Sequence, residues 1–222
     1  EKGVQFNNDP APVTLSANRL RATPNEVPRS LAAEGIECEE TSLAPHGLRT
    51  VSGNPLRHGS HEQFLVQDEA SQLVPLAVDA QPGERVLDLC AAPGGKTVLM
   101  SGDMRDSGVP VACDVRTRRV ALLRDTIRQA GCRHVHPIHV PAERALPFAS
   151  GFDRILVDAP CSGLGTVRRD PDVKGRRHES DLAGFADRQL TLLDRAATVL
   201  KPGGRLVYAT CSSEPEENEM VV

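Results

Sequence analysis

Two short segments carry the residues best suited to chemistry. Asp158-Ala159-Pro160-Cys161-Ser162-Gly163 and Ala209-Thr210-Cys211-Ser212-Ser213 each place a cysteine on a loop directly after an apolar run. Pro160 and Gly163 make the first of these a rigid turn. Two thiols at strand ends admit three uses. They can form a redox pair, although reactive dithiols usually come as C-x-x-C. They can be inert buried thiols, the common fate of cysteine. Or they can be a nucleophile and its helper, since a thiol pKa of about 8.5 falls beside positive groups and helix N-termini. Lys96 is the candidate positive group.

A third segment, G-E-R-V-L-D-L-C-A-A-P-G-G-K-T at 83–97, reads as a cofactor loop. A short apolar strand, Val86 to Leu89, runs into small residues from Cys90 to Gly95 and then into a helix opening with Lys96 and Thr97. Such a strand–loop–helix turn aims backbone amides at whatever lies beyond the strand's carboxyl end. G-x-G-x-x-G is absent. The G-K-T half of a phosphate loop is present, but its first glycine would fall at Cys90. A wide small-residue loop after an acid-bearing strand (Asp88) suits a ligand without phosphates, such as S-adenosylmethionine. Asp114, closing the next strand, is placed to accept the hydroxyls of a ribose.

With a methyl sulfonium as cofactor, the nucleophile-and-helper reading acquires a chemical reason. Carbon 5 of cytosine is too electron-poor to attack such a methyl unaided. A thiolate adding at carbon 6 turns the ring into an enamine whose carbon 5 is nucleophilic. An acid or cation at the N3/N4 edge, Asp158 or Lys96, strengthens the activation. A base must then remove the carbon-5 proton so that the thiol can leave.

These loops need a scaffold, and the pattern supplies one. Apolar runs at 110–113, 134–140, 152–157 and 205–209 alternate with amphipathic stretches at 119–130 and 181–200. The expectation is an α/β fold: a doubly wound, mainly parallel Rossmann-like sheet. All its carboxyl ends would share one rim. Residues 12–52 read as a small α+β unit, with strands near 13–17, 36–38 and 48–51. Its helix runs from Thr23 to Glu34, opened by a capping box of Thr23 and Glu26. Residues 53–62 read as a loop and 67–78 as a helix interrupted by Pro75. The expected division is an RRM-like unit over 1–65 and a methyltransferase domain over 66–222.

The chain has 222 residues and a net charge of −4, so no global field draws it to nucleic acid, and any such site is local. Six cysteines without C-x-x-C or His/Cys clusters argue against a metal site or a disulfide framework and fit a cytoplasmic setting. No apolar run of about 18 residues exists to span a membrane. A monomer is expected. Glu1 at the start, and an end at Val222 inside what reads as a continuing helix, suggest a piece of a longer protein.

Taken together, D-L-C-A-A-P-G-G-K-T, D-A-P-C-S-G, R-R-D-P-D-V-K, F-L-V-Q-D-E-A-S-Q-L and A-T-C-S-S-x-x-x-E-N-E (Glu217, Asn218, Glu219) resemble the motifs of the Sun/Fmu-type, NSUN-related RNA cytosine-5 methyltransferases. Within that group the pattern is most similar to the bacterial 16S ribosomal RNA enzymes. The resemblance covers roughly residues 10–222. It implies Cys211 as nucleophile and Cys161 as the thiol assisting product release. It also implies a bound S-adenosylmethionine held by Cys90, Ala91, Ala92, Pro93, Gly94, Gly95, Lys96 and Asp114, with Arg119 alongside and Asp158 between cofactor and base. Two departures stand out. Pro141 occupies the place of the family's acid at the third strand end, with Glu143 as a substitute, and Gly175 follows Lys174 where the family often has Trp. An N-terminal helical RNA-binding domain and the last strands of the sheet are expected to lie outside this chain.

The implied partner is RNA, ribosomal RNA in particular. Residues 168–177 hold five basic groups in ten, a flexible arm able to grip phosphates flanking an extruded base. Five Phe, one Tyr and no Trp leave few stacking surfaces, so RNA recognition by this piece alone should be weak. Two rivals remain open: a methyltransferase-fold enzyme on a non-RNA substrate, for which Cys211 would be dispensable, and a cofactor-binding module without activity.

Overall fold

Side-chain alternation along the central strands decides the architecture. Val86 and Leu156 pack toward one face, while Leu87, Ile155 and Val157 pack toward the other, and all are buried. Strands covered on both faces belong to a parallel sheet between helical layers. The computed structural model describes residues 7–57, 61–142 and 144–222. Its elements in chain order begin with β1 (Thr14–Ala17), α1 (Glu26–Ala33), β2 (Glu37–Glu40), β3 (Gly47–Ser52), β4 (Phe64–Val66) and α2 (Glu69–Val78). There follow β5 (Arg85–Asp88), α3 (Gly95–Asp103), β6 (Val109–Asp114), α4 (Thr117–Ala130) and β7 (His136–His139). The last are β8 (Phe152–Asp158), α5 (Val173–Arg176), α6 (Asp181–Val199) and β9 (Leu200–Ala209).

The five later strands form a parallel sheet in the order β7-β6-β5-β8-β9. On one face, Val78 of α2 and Met100 of α3 meet Val86 and Leu156; α4 adds Leu123 and Ile127 beside Ala112. On the other face Ala196 and Val199 of α6 cover Leu87, Ile155 and Val157. From β5 the chain steps outward to β6 and β7, then returns to set β8 on the opposite side of β5. This reversal opens a crevice above the carboxyl ends of β5 and β8, the position where open α/β sheets bind ligands. The doubly wound fold expected from the sequence is present.

The first four strands make a separate antiparallel sheet, β2-β3-β1-β4, with Val27 and Leu31 of α1 packed on Leu15, Ala17 and Phe64. The structure departs from expectation at several ends. α1 starts at Glu26 rather than Thr23, yet the Thr23 N–H donates to Glu26 Oε2 at 2.7 Å, so half of the capping box forms. β4, three residues long, is too short to show alternation and went unpredicted. Pro75 sits buried inside α2. It cannot bond the Ser71 carbonyl, and the Gln67 side-chain amide donates to that oxygen instead, at 3.3 Å. α6 ends at Val199, one residue short of the expected 200, and the K-P-G-G stretch that follows is strand rather than turn. It lies inside β9, where the pairing with β8 shifts register. The C-terminus is no continuing helix either. A single 3-10 turn, Pro215–Glu217, is folded back by Asn218, whose amide donates to Ser212 O at 3.1 Å and Glu214 O at 2.9 Å. Among the described residues no helix is long and apolar enough to cross a membrane, and no group of His, Cys, Asp and Glu is arranged to hold a metal ion.

Candidate active site

Three strand ends meet at the crevice. β5 delivers Asp88, which is buried and accepts a 2.6 Å hydrogen bond from Thr97 Oγ1 at the start of α3. Its other oxygen, Oδ1, is buried with no partner among the described residues. Burial, opposed by the Thr97 bond and reinforced by the charges of Asp158 and Asp114, pushes the Asp88 carboxyl up to about 7. The loop that follows turns at Gly94, whose φ of 116° lies in the left-handed region. A Cβ there would come within 2.9 Å of Leu123 Cδ1 on α4, so glycine is required twice over.

β6 delivers Asp114, also buried. One of its oxygens accepts from the Arg116 N–H at 3.1 Å, the other from Arg119 Nε at 2.9 Å. Arg119 donates its second hydrogen bond to the Ala92 carbonyl in the Gly94 loop. Arg119 therefore ties the loop to Asp114, a positioning role that spacing alone did not reveal. Pro141 follows β7 at the edge; Glu143, its suggested substitute, lies outside the described residues.

β8 delivers Asp158, whose Oδ2 lies 2.6 Å from Lys96 Nζ. The two groups proposed for the pyrimidine edge are thus partners of one another. Beyond Asp158 and beyond β9 the two cysteine loops converge: Cys161 Sγ and Cys211 Sγ are 3.0 Å apart, and the Cys211 N–H donates to Cys161 Sγ at 3.3 Å. Cys211 is exposed and Cys161 half-buried. Either sulfur can be the donor in this contact; with Cys161 donating, the bond holds the Cys211 thiol down at about 7 against burial and the Asp158 charge. Cys161 is pushed up by the same bond and by burial. Lys96 adds only a minor pull on Cys211, so the activating neighbour is the second thiol rather than the cation the sequence suggested. Burial pushes the other thiols up, Cys38 and Cys90 among them, with Cys113 at about 12 and Cys132 at about 11. Selective alkylation should follow. Iodoacetamide should modify Cys211 first, with a midpoint near pH 7, and Cys161→Ala should return that midpoint toward about 8.5. Peptide mass spectrometry against pH reads both.

The basic stretch 168–177 is ordered, not a free arm. Arg168 donates to the Asp9 and Pro10 carbonyls at 3.0 and 3.1 Å, and Arg169 pairs with Asp68. Arg176 reaches Asp170, and Arg177 donates to Ser162 O at 2.9 Å with its guanidinium over the Phe185 ring. These contacts brace the Cys161 loop against the rest of the chain. Two functional positions escaped the sequence reading. Gly165 donates its N–H to Cys211 O at 3.0 Å, and a Cβ on it would meet that oxygen at 2.8 Å. Glu217, visible only as a motif letter, proves fully buried between the two loops.

Comparison with known proteins identifies the family. Residues 75–222 match the family described as 16S rRNA methyltransferase RsmB/F, and residues 1–57 match the RsmF/B-like ferredoxin-like domain. The chain belongs to the RsmB/F family. A probable ribosomal RNA small subunit methyltransferase B of Bacillus subtilis is 37% identical over 228 residues, covering 100% of this chain and 51% of that protein. The human 28S rRNA (cytosine(4447)-C(5))-methyltransferase is 33% identical, covering 99% of this chain and 28% of that protein. The solved structure of a methyltransferase homolog from Pyrococcus horikoshii superposes with a TM-score of 0.85 at 32% identity, covering 98% of this chain and 70% of that one. The chain thus spans about half the length of its Bacillus relative in the RsmB/F family.

Proposed function

We propose that this RsmB/F chain carries the catalytic part of an S-adenosylmethionine-dependent enzyme that methylates carbon 5 of a cytosine in ribosomal RNA, 16S rRNA for a bacterial protein. The observation that carries the reading is the pair of sulfurs 3.0 Å apart at the rim of the ligand crevice. An RRM-like unit ending with β4, near residue 65, would lie beside a catalytic domain formed by the rest.

The residues at the crevice fit the cofactor. Asp88 Oδ1 is a buried acceptor without a partner, which an ammonium group satisfies. Asp88, Asp114 and Asp158 surround the loop with negative charge that favours a cationic ligand. The left-handed turn at Gly94 lets the loop pack close against Leu123 and Thr126 of α4. Cys90 through Lys96 would hold the cofactor with Asp114, and Arg119 would fix the loop from behind. When bound, S-adenosylmethionine supplies the electrophilic methyl group.

The remaining chemistry belongs to the chain. The Cys211 thiolate adds to carbon 6 of the cytosine, forming a C–S bond and making carbon 5 nucleophilic. The Lys96–Asp158 pair faces the N3/N4 edge, where the carboxylate accepts from the N4 amino group and the ammonium offsets the negative charge the ring gains. With Cys161 assisting, a water molecule at the open rim takes the carbon-5 proton, the electron pair of that C–H bond forms the C5=C6 double bond, and the C–S pair leaves with Cys211 as its thiolate. Because Asp88 must lose its proton to hold a cation, S-adenosylmethionine affinity should rise as pH climbs through about 7. In Asp88→Asn that pH dependence should be gone, as titration calorimetry can show. Mapping 5-methylcytosine in ribosomal RNA from cells with and without the gene tests the function itself: one site should disappear with the gene, and an unchanged map contradicts the proposal.

A further inference from the structure

Glu217 belongs to no step of the chemistry above, yet it is a fully buried carboxylate between the two thiol loops. Its Oε1 accepts from the Ser162 N–H at 2.8 Å and from Gln189 Nε2 at 2.9 Å. Its Oε2 accepts the Ser162 hydroxyl, through which the Ser212 hydroxyl is linked to the carboxylate. Ser162 follows Cys161 directly and Ser212 follows Cys211, and the two hydroxyls lie 3.1 Å apart. Gln189, reaching across from α6, donates to the Pro160 carbonyl at 3.0 Å as well. The Tyr208 hydroxyl holds Glu217 from below by donating to its main-chain oxygen at 2.7 Å.

We infer that Glu217 is a positioning residue for methyl transfer, a buried anion that clamps the Cys161 loop to the Cys211 loop and so sets the distance between the two sulfurs. The inference rests on the thiol chemistry proposed above. A carboxylate suits the task better than its neutral isostere because it has acceptors only. The Ser162 hydroxyl and both N–H groups must then point inward, the Ser212 hydroxyl packs on Ser162, and each loop is held in one orientation. Burial alone would favour the neutral acid, but the bonds from Ser162 and Gln189, with the Ser212 hydroxyl close by, outweigh it and hold the carboxyl below its usual range. The clamp therefore persists at neutral pH. Glutamine in its place turns a donor either toward the Ser162 hydroxyl, itself a donor, or toward the N–H groups of Ser162 and Gln189, and the loops must rearrange.

The test is Glu217→Gln, which conserves volume, with Glu217→Asp and Ser162→Ala beside it. Assayed on a 16S ribosomal RNA transcript, Glu217→Gln should lower kcat by about 100-fold, the cost of roughly an ångström of misplacement, and leave KM for the RNA within about threefold. Without RNA or cofactor, the alkylation midpoint of Cys211 should move from its low value toward about 8.5 as the Cys161 donor drifts away. Ser162→Ala, which removes one clamp contact and no charge, should shift the midpoint the same way by less. Glu217→Asp, charged but short, should recover part of kcat. A folded Glu217→Gln protein with wild-type kcat and wild-type alkylation profile overturns the inference. Should Glu217→Gln not fold, an unmoved midpoint in both Ser162→Ala and Glu217→Asp overturns it equally. The alkylation arm needs no RNA, so a shifted midpoint in a protein that methylates no cytosine would sink the functional reading and leave the clamp standing.

Discussion

Replacing Cys211 with alanine should abolish methyl transfer, by about four orders of magnitude or more, the scale seen when a covalent nucleophile is removed. The argument is both positional and electronic. Of the six cysteines, Cys211 alone is exposed, and its thiol is held down at about 7. Burial drives the Cys90, Cys113 and Cys132 thiols upward, so none of them can stand in. Cys161 cannot stand in either, because its bond with Cys211 and its burial push its thiol up. The loss should be confined to chemistry. Cys211 lies beyond β9, apart from the Asp88–Lys96 loop, so S-adenosylmethionine should bind Cys211→Ala as it binds the parent. Radiolabelled methyl transfer together with calorimetry checks both halves. Methylation surviving in Cys211→Ala would favour a non-RNA substrate or a different nucleophile.

Replacing Cys161 should produce a different failure, in which the protein methylates once and stops. With Cys161 gone, Cys211 can still add to a cytosine, but the group assisting release of the product is missing. A single-turnover burst of about one methyl per protein should precede a steady rate lower by about 100-fold or more, within the range of a lost proton-transfer catalyst. The burst should also need a higher pH than the parent enzyme requires, since removing the Cys161 donor returns Cys211 toward an ordinary thiol. Rapid-quench kinetics at two pH values distinguish this outcome from a plain loss of activity. Equal steady rates in parent and variant would remove Cys161 from the mechanism.

Much of the architecture was legible because hydrophobic period and strand-end chemistry coincide in this chain. β5, β6, β8 and β9 announce themselves as apolar runs closed by Asp88, Asp114, Asp158 and Thr210. In a parallel sheet those ends must share one rim. β4 stayed hidden because three residues give no period, and the start of β9 at Leu200, ahead of the apolar run at 205–209, stayed hidden because Gly203 and Gly204 sit at a register shift. At the site, motif spacing located both thiols, but it could not say what activates Cys211. That depends on a 3.0 Å contact between residues fifty positions apart. The same limit applies to Lys96, which pairs with Asp158 rather than serving the thiol. Charge counting likewise read 168–177 as a free basic arm, while the chain uses Arg168, Arg169, Arg176 and Arg177 to brace its own loops. Partners distant in sequence leave no local signature.

The most direct test of two sulfurs acting in turn on one cytosine is covalent trapping. Cys161→Ala protein, incubated with a 16S ribosomal RNA transcript and S-adenosylmethionine and run on a denaturing gel, should migrate as a protein–RNA adduct. Mass spectrometry should place the attached nucleotide on Cys211, and the Cys161→Ala/Cys211→Ala double variant should give no adduct. Absence of the adduct in a Cys161→Ala protein that still methylates RNA, or attachment to any residue other than Cys211, would contradict the account.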